Sequence, residues 1–202
     1  MTARMRESGP SGNPNLSFAR IHDRTLARRA GPRQIPTMTS TGFKEWLGVC
    51  AHLGAGTCSL LLRKGGIHEG REGFSFKHDR FFLFPTGFHE AAEGLVVPAP
   101  ASGLLPATEE NGVSIRHFAI ADWAVLLRDR AVIEGLAPHH VWTPRVVWER
   151  YGYSEKLEAD CLSVAFVRVY ELPATWSFPY QPGFGGCRSW VALPEPPAGW
   201  EK

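Results

Sequence analysis

Residues 162–172 read LSVAFVRVYEL, a β-branched run that is apolar on both faces in its middle and is followed by Pro173. A strand with that profile belongs in the interior of a sheet covered on both sides. Working outward, Ser59–Arg63 (SLLLR) reads as a second buried strand, stopping at the Gly65-Gly66 pair. Phe74–Lys77 and Arg80–Phe84 read as strands, the latter ended by Pro85. Val113–Leu127 holds one long strand or two short ones, and Cys187–Leu193 makes the last. The 19 residues from Gly94 to Gly112 are Pro-interrupted, polar at the end and without periodicity, which predicts a surface loop.

Helical signals are fewer. Ser40 and Thr41 precede Phe43, Trp46, Leu47, Cys50 and Leu53, so hydroxyl cap, apolar stripe and the terminal Gly54 predict one amphipathic helix. A hairpin strand is the rival over those same residues. Phe88–Glu93 predicts a helical turn and Ala131–Leu136 a short helix. The sharpest local signal is Trp142-Thr143-Pro144. Thr143 is a natural cap, Pro144 has no amide to leave unsatisfied, and Trp142 and Val147 are spaced as a hydrophobic staple. That helix should stop at Gly152. The sum predicts an α+β fold with a mixed, mainly antiparallel sheet, or a partly open barrel, and about three short helices.

Charge divides the chain unevenly. Residues 1–37 carry seven arginines against Glu7 and Asp23, whereas residues 38–202 hold 15 basic and 18 acidic groups. Residues 1–37 are expected to be a disordered basic tail, too poor in apolar material to offset ordering entropy, and residues 38–202 one globular domain. No apolar run approaches the ~20 residues that cross a bilayer, so no membrane partner is expected. Four scattered cysteines and no secretory signal predict a cytoplasmic protein.

Three stretches carry a family resemblance: LLLRKGGIHE (60–69), FFLFPTGFHE (81–90), and VRVYELP with GGCRSW (167–190). With the FKEW segment and the Trp-Thr-Pro helix, the chain resembles the bacterial domain-of-unknown-function family numbered 1802, over roughly residues 43–193. The resemblance implies one compact bacterial domain and names no reaction. A helix, a glycine and a strand ending in arginine also resembles the opening of PUA-like barrels, which bind RNA or modified nucleotides; this is analogy of fold alone.

The candidate site begins at Arg63-Lys64-Gly65-Gly66. A buried strand delivers two cations into a double-glycine turn whose amides can face a ligand, which suits phosphate or carboxylate. The competing reading pairs Arg63 and Lys64 with Glu45, Glu69 or Glu72. GxxxxGK[ST] is absent, so the turn is not a P-loop. Arg168 shares a strand face with Leu162, Val164 and Phe166, and is therefore expected either in a core ion pair or beside Arg63 in one pocket. His68-Glu69, His78-Asp79 and His89-Glu90 are three neighbouring histidine–acid pairs, of which His89 and Glu90 follow a turn and are the better site candidates. No HExxH, HxxE or CxxC spacing supports a metal, and no cofactor is predicted. Cys187, in GGCRSW, is expected as a small buried residue of the last strand, because Pro194 forbids the long helix that a cysteine-protease nucleophile opens. No D-x-K or E-x-K occurs to support a PD-(D/E)xK nuclease.

The leading reading is a module binding a small anion, a nucleotide or single-stranded nucleic acid through Arg63, Lys64, Gly65, Gly66, His89, Glu90 and Arg168. An acidic body lacks the broad basic face that duplex binding needs. The alternative is a metal-dependent hydrolase or nuclease using His89 and Glu90.

Overall fold

The computed structural model describes residues 40–64, 76–87, 93–152 and 160–201. Six strands form one mixed sheet in the order β2-β5-β4-β3-β1-β6. They are β1 (Thr41–Trp46), β2 (Leu60–Lys64), β3 (Arg80–Thr86), β4 (Val113–Leu127), β5 (Leu162–Phe178) and β6 (Trp190–Ala192). Only β1 and β3 run parallel; the other four neighbouring pairs are antiparallel. The sheet does not close into a barrel, and three α-helices accompany it among the described residues: α1 (Leu47–Gly54), α2 (Arg130–Gly135) and α3 (Pro144–Tyr151). The fold is α+β.

The apolar runs explain the layering. In β3 the four residues Phe81, Phe82, Leu83 and Phe84 are all buried, yet they serve two cores. Phe81 and Leu83 join Val49, Leu53, Val146, Leu162 and Val164 on one side; Phe82 and Phe84 join Ile115, Phe118, Trp176 and Phe184 on the other. Successive strand residues point to opposite faces, so a run with no alternation is what a doubly covered strand requires. β5 behaves the same way: Leu162–Ala165 is buried throughout and lies between β2 and β4, as its composition predicts.

Several sequence expectations need correction. The helix expected from Phe43 begins only at Leu47, because Thr41–Trp46 is a strand paired with both β3 and β6. Its alternation is hidden by chemistry, since Phe43 and Glu45 both point inward and one of them is charged. Pro85 does not end β3, which runs on to Thr86. The β4 ladder covers only Arg80–Phe82, so the missing amide of Pro85 forfeits no bond on that side. Pro173 does not end β5 either. It falls in the irregular stretch between the His117↔Glu171 and Ile115↔Trp176 pairs, and the strand resumes to Phe178. Phe76 and Lys77 belong to no strand, while Phe74 lies outside the described residues, as do residues 88–92 of the expected turn and the whole of 1–37. The last strand is shorter than expected, leaving Cys187 exposed ahead of it.

α2 and α3 stand within a residue of their predicted positions, and α3 stops at Gly152. Thr143 occupies the cap position of α3, but its hydroxyl makes no capping bond and is buried without a partner. Asp129 does cap its helix, accepting from the amides of Ala131 (2.8 Å) and Val132 (3.3 Å).

Candidate anion pocket

Because β1 and β3 are parallel, their carboxyl ends reach the same rim, placing Lys44 and Trp46 beside Thr86 and Gly87. The sheet also curls. β2 and β1 share no ladder, yet Arg63 of β2 reaches across to β1, where Nη1 meets Glu45 Oε2 at 2.6 Å and Nη2 donates to the carbonyl of Lys44. The Glu45 side chain is fully buried, and its other oxygen accepts from the Trp46 amide at 2.8 Å. The Arg63 guanidinium lies 4.4 Å from the Phe43 ring centroid. Such a pair is expensive to desolvate and expensive to break.

Around this bridge is a pocket of about 370 Å3. Among the described residues its lining contributes five cations, Lys44, Arg63, Lys64, Arg150 and Arg188, and no carboxylate. Lys44 is held by the loop before β6, its Nζ donating to the carbonyls of Phe184 (2.8 Å) and Gly186 (2.7 Å). Burial lowers the Lys44 ammonium, opposed by the nearby Cys187. Gly186 adopts φ +73°, which lets the loop turn back toward β6 and carry Cys187 and Arg188 to the mouth.

Arg150 is the unusual member. It sits on the buried stripe of α3 with Val146, Val147 and Tyr151, and is 7% exposed. Its guanidinium lies 3.7 Å from the Trp142 centroid and 5.4 Å from that of Trp46, and Nη1 donates to Leu62 O at 2.5 Å. The same carbonyl accepts from Arg63 at 3.3 Å. No carboxylate forms a salt bridge with Arg150 among the described residues. Burial drives its guanidinium down to about 10; Glu45 nearby opposes the fall, while Arg63 adds to it. A guanidinium has five N–H donors, so most of those on Arg150 have no acceptor among the described residues.

Of the residues singled out in the sequence, Arg63 and Lys64 line this pocket. Gly65, Gly66, His89 and Glu90 lie outside the described residues, as do His68 and Glu69. Arg168 is elsewhere. It is exposed on β5 opposite Ile120, with Nε 2.8 Å and Nη2 2.7 Å from the two carboxylate oxygens of Asp122 and Nη1 2.7 Å from the Tyr170 hydroxyl. Its strand face is covered only as far as Val164, with Phe166 already half-buried. His78 is exposed against Trp190. Among the described residues no group of His, Cys, Asp and Glu could hold a metal ion. Lys44, Trp46 and Arg150 were not legible as site residues. The one available signal was a charged residue on the apolar stripe of α3.

Residues 42–202 match the family model of a domain of unknown function, DUF1802. The chain belongs to the DUF1802 family. That match covers the sheet from the second residue of β1 onward and every cation of the pocket, so the pocket is a feature of the DUF1802 region itself. No curated protein matches the chain. Among solved structures, this DUF1802 chain is similar to ASCH from Zymomonas mobilis, at 8% identity and a TM-score of 0.46, over 78% of this chain and 89% of that one. A serine-to-alanine mutant of the same protein gives 9% identity and a TM-score of 0.47, over 80% and 92%.

Proposed function

We propose that this DUF1802 protein is a binding module for a small phosphate-bearing ligand, held in the pocket between the ends of β1, β2 and β3, α3 and the loop before β6. The observation that carries this reading is the buried Arg150 guanidinium. Among the described residues the pocket that it lines holds no acid, and it forms no salt bridge with a carboxylate. A buried cation without a counter-ion is unfavourable, and a bound anion supplies the missing acceptors. The distribution of charge supports it too. Residues 38–202 are net acidic, yet five of their 15 cations converge on this one pocket. Lys64 and Arg188 at the mouth draw the anion in, and Arg63 and Arg150 receive it.

Titration calorimetry with adenosine 5′-monophosphate and with pyrophosphate tests the reading. Saturable binding is expected. Replacing both Lys64 and Arg188 by Gln should weaken it by about 1.5–3 kcal/mol per lost charged contact. Absence of binding by the folded protein at millimolar ligand would refute the proposal.

A further inference from the structure

Resting on that reading, we infer that the pocket selects a terminal phosphate monoester, such as the 5′ end of a nucleotide or oligonucleotide, over the internal diester of a nucleic-acid backbone. The cations are graded by depth. Arg188 is exposed and Lys64 half-buried, whereas Arg63 and Arg150 are 9% and 7% exposed. A phosphate must therefore pass the outer pair to reach the inner one. A terminal phosphate enters with three free oxygens, enough to meet two guanidiniums at once. An internal diester offers two oxygens and drags chain on both sides.

Charge points the same way. Glu45 matches Arg63 from behind, whereas neither Arg150 nor Arg188 forms a salt bridge among the described residues. A monoester carries about −1.5 to −2 at neutral pH, against −1 for a diester, so the monoester compensates more of the charge of Arg150 and Arg188. The cations also come from four separate segments: β1, β2, α3 and the loop before β6. They converge on one pocket of about 370 Å3, whereas a backbone-tracking site sets its cations along a groove. Away from the pocket, Arg116, Arg145 and Arg168 are already matched by Glu171, Glu149 and Asp122.

The test uses the full chain at fixed ionic strength. Adenosine 5′-monophosphate is compared with its methyl ester, and a 5′-phosphorylated oligothymidylate with the same oligomer ending in a 5′-hydroxyl. Each terminal phosphate is expected to bind at least about tenfold more tightly than its partner. Preference in the mononucleotide pair alone assigns a free nucleotide as the ligand. Preference in the oligomer pair alone assigns a strand end, and both results uphold the inference. Equal binding within both pairs overturns it and leaves the phosphate pocket standing. Failure of all four to bind refutes the pocket reading as well. A Lys64→Gln variant with an unchanged melting temperature should lose affinity for the phosphorylated members more than for the others; equal losses would also count against the inference.

Discussion

Breaking the Glu45–Arg63 bridge should cost more stability than any other single polar change near the pocket. Arg63→Gln leaves the Glu45 carboxylate fully buried, with only the Trp46 amide donating to it among the described residues. It also withdraws the donors that reach Lys44 O and Leu62 O, the second of which is shared with Arg150. Glu45→Gln instead leaves two buried guanidiniums around one carbonyl. Removing one member of a buried pair costs about 3–5 kcal/mol. For a chain of this size each kcal/mol moves the midpoint by about 2–4 °C, so each single variant should melt roughly 6–20 °C lower. The double variant Glu45→Gln/Arg63→Gln removes both charges together. It should be less destabilised than the two losses added, with a coupling of about 2 kcal/mol or more. Denaturant titration of all four proteins measures this. Single losses below about 1 kcal/mol, or losses that simply add, would refute the reasoning that the bridge holds the curl of the sheet.

Thr143→Val should be neutral or slightly stabilising, because the buried Thr143 hydroxyl has no partner; a loss near the ~1 kcal/mol of a true cap would restore the capping role. His140 is held neutral, its pKa lowered from 6.5 to about 4 by burial, by Arg150 and by His139, and its Nδ1 accepts from the Trp142 amide at 3.2 Å. The unfolded chain takes up a proton first, so stability should fall as pH drops from 6.5 toward about 4 and be unaffected above that window. His140→Gln should flatten this slope in melting curves taken across it; an unchanged slope would place the acid sensitivity elsewhere. Gly94→Ala puts a methyl 2.6 Å from the Trp46 ring, so it should displace that indole and weaken phosphate binding; unaltered affinity and tryptophan fluorescence would show the ring free to yield.

Elements whose burial is purely apolar were readable from sequence. β5, β2 and β4 announce themselves through unbroken or alternating apolar runs, and α3 through Pro144 and Gly152. The failures share a cause, which is a local rule overridden by a distant partner. Pro85 and Pro173 read as strand ends because a proline forfeits a ladder bond, but Pro85 lies beyond the β4 ladder and Pro173 in an irregular stretch of the β4–β5 pairing. β1 reads as helix because Phe43, Trp46, Leu47, Cys50 and Leu53 recur at helical spacing and nothing local marks Glu45 as buried. Only the arrival of Arg63, eighteen positions later, makes its burial tolerable. For the site, Arg63 and Lys64 were visible as cations at a strand end. Lys44, Arg150 and Arg188 become neighbours only through topology, and no local pattern brings them together.

That topology also separates scaffold from recognition within one pocket. Arg63 belongs to both, since the atoms that line the cavity also span the gap between β2 and β1. Lys44 pins the loop before β6 through two carbonyls and so shapes the wall as much as it charges it. Lys64 and Arg188, by contrast, stand at the mouth, one half-buried and one exposed. Substitution of the inner group should therefore lower stability and phosphate affinity together. Substitution of Lys64 or Arg188 should lower affinity while the melting temperature holds. If the outer variants were destabilised as severely as Arg63→Gln, the five cations would be parts of a structural charge network, and the pocket beside Arg150 would bind no ligand.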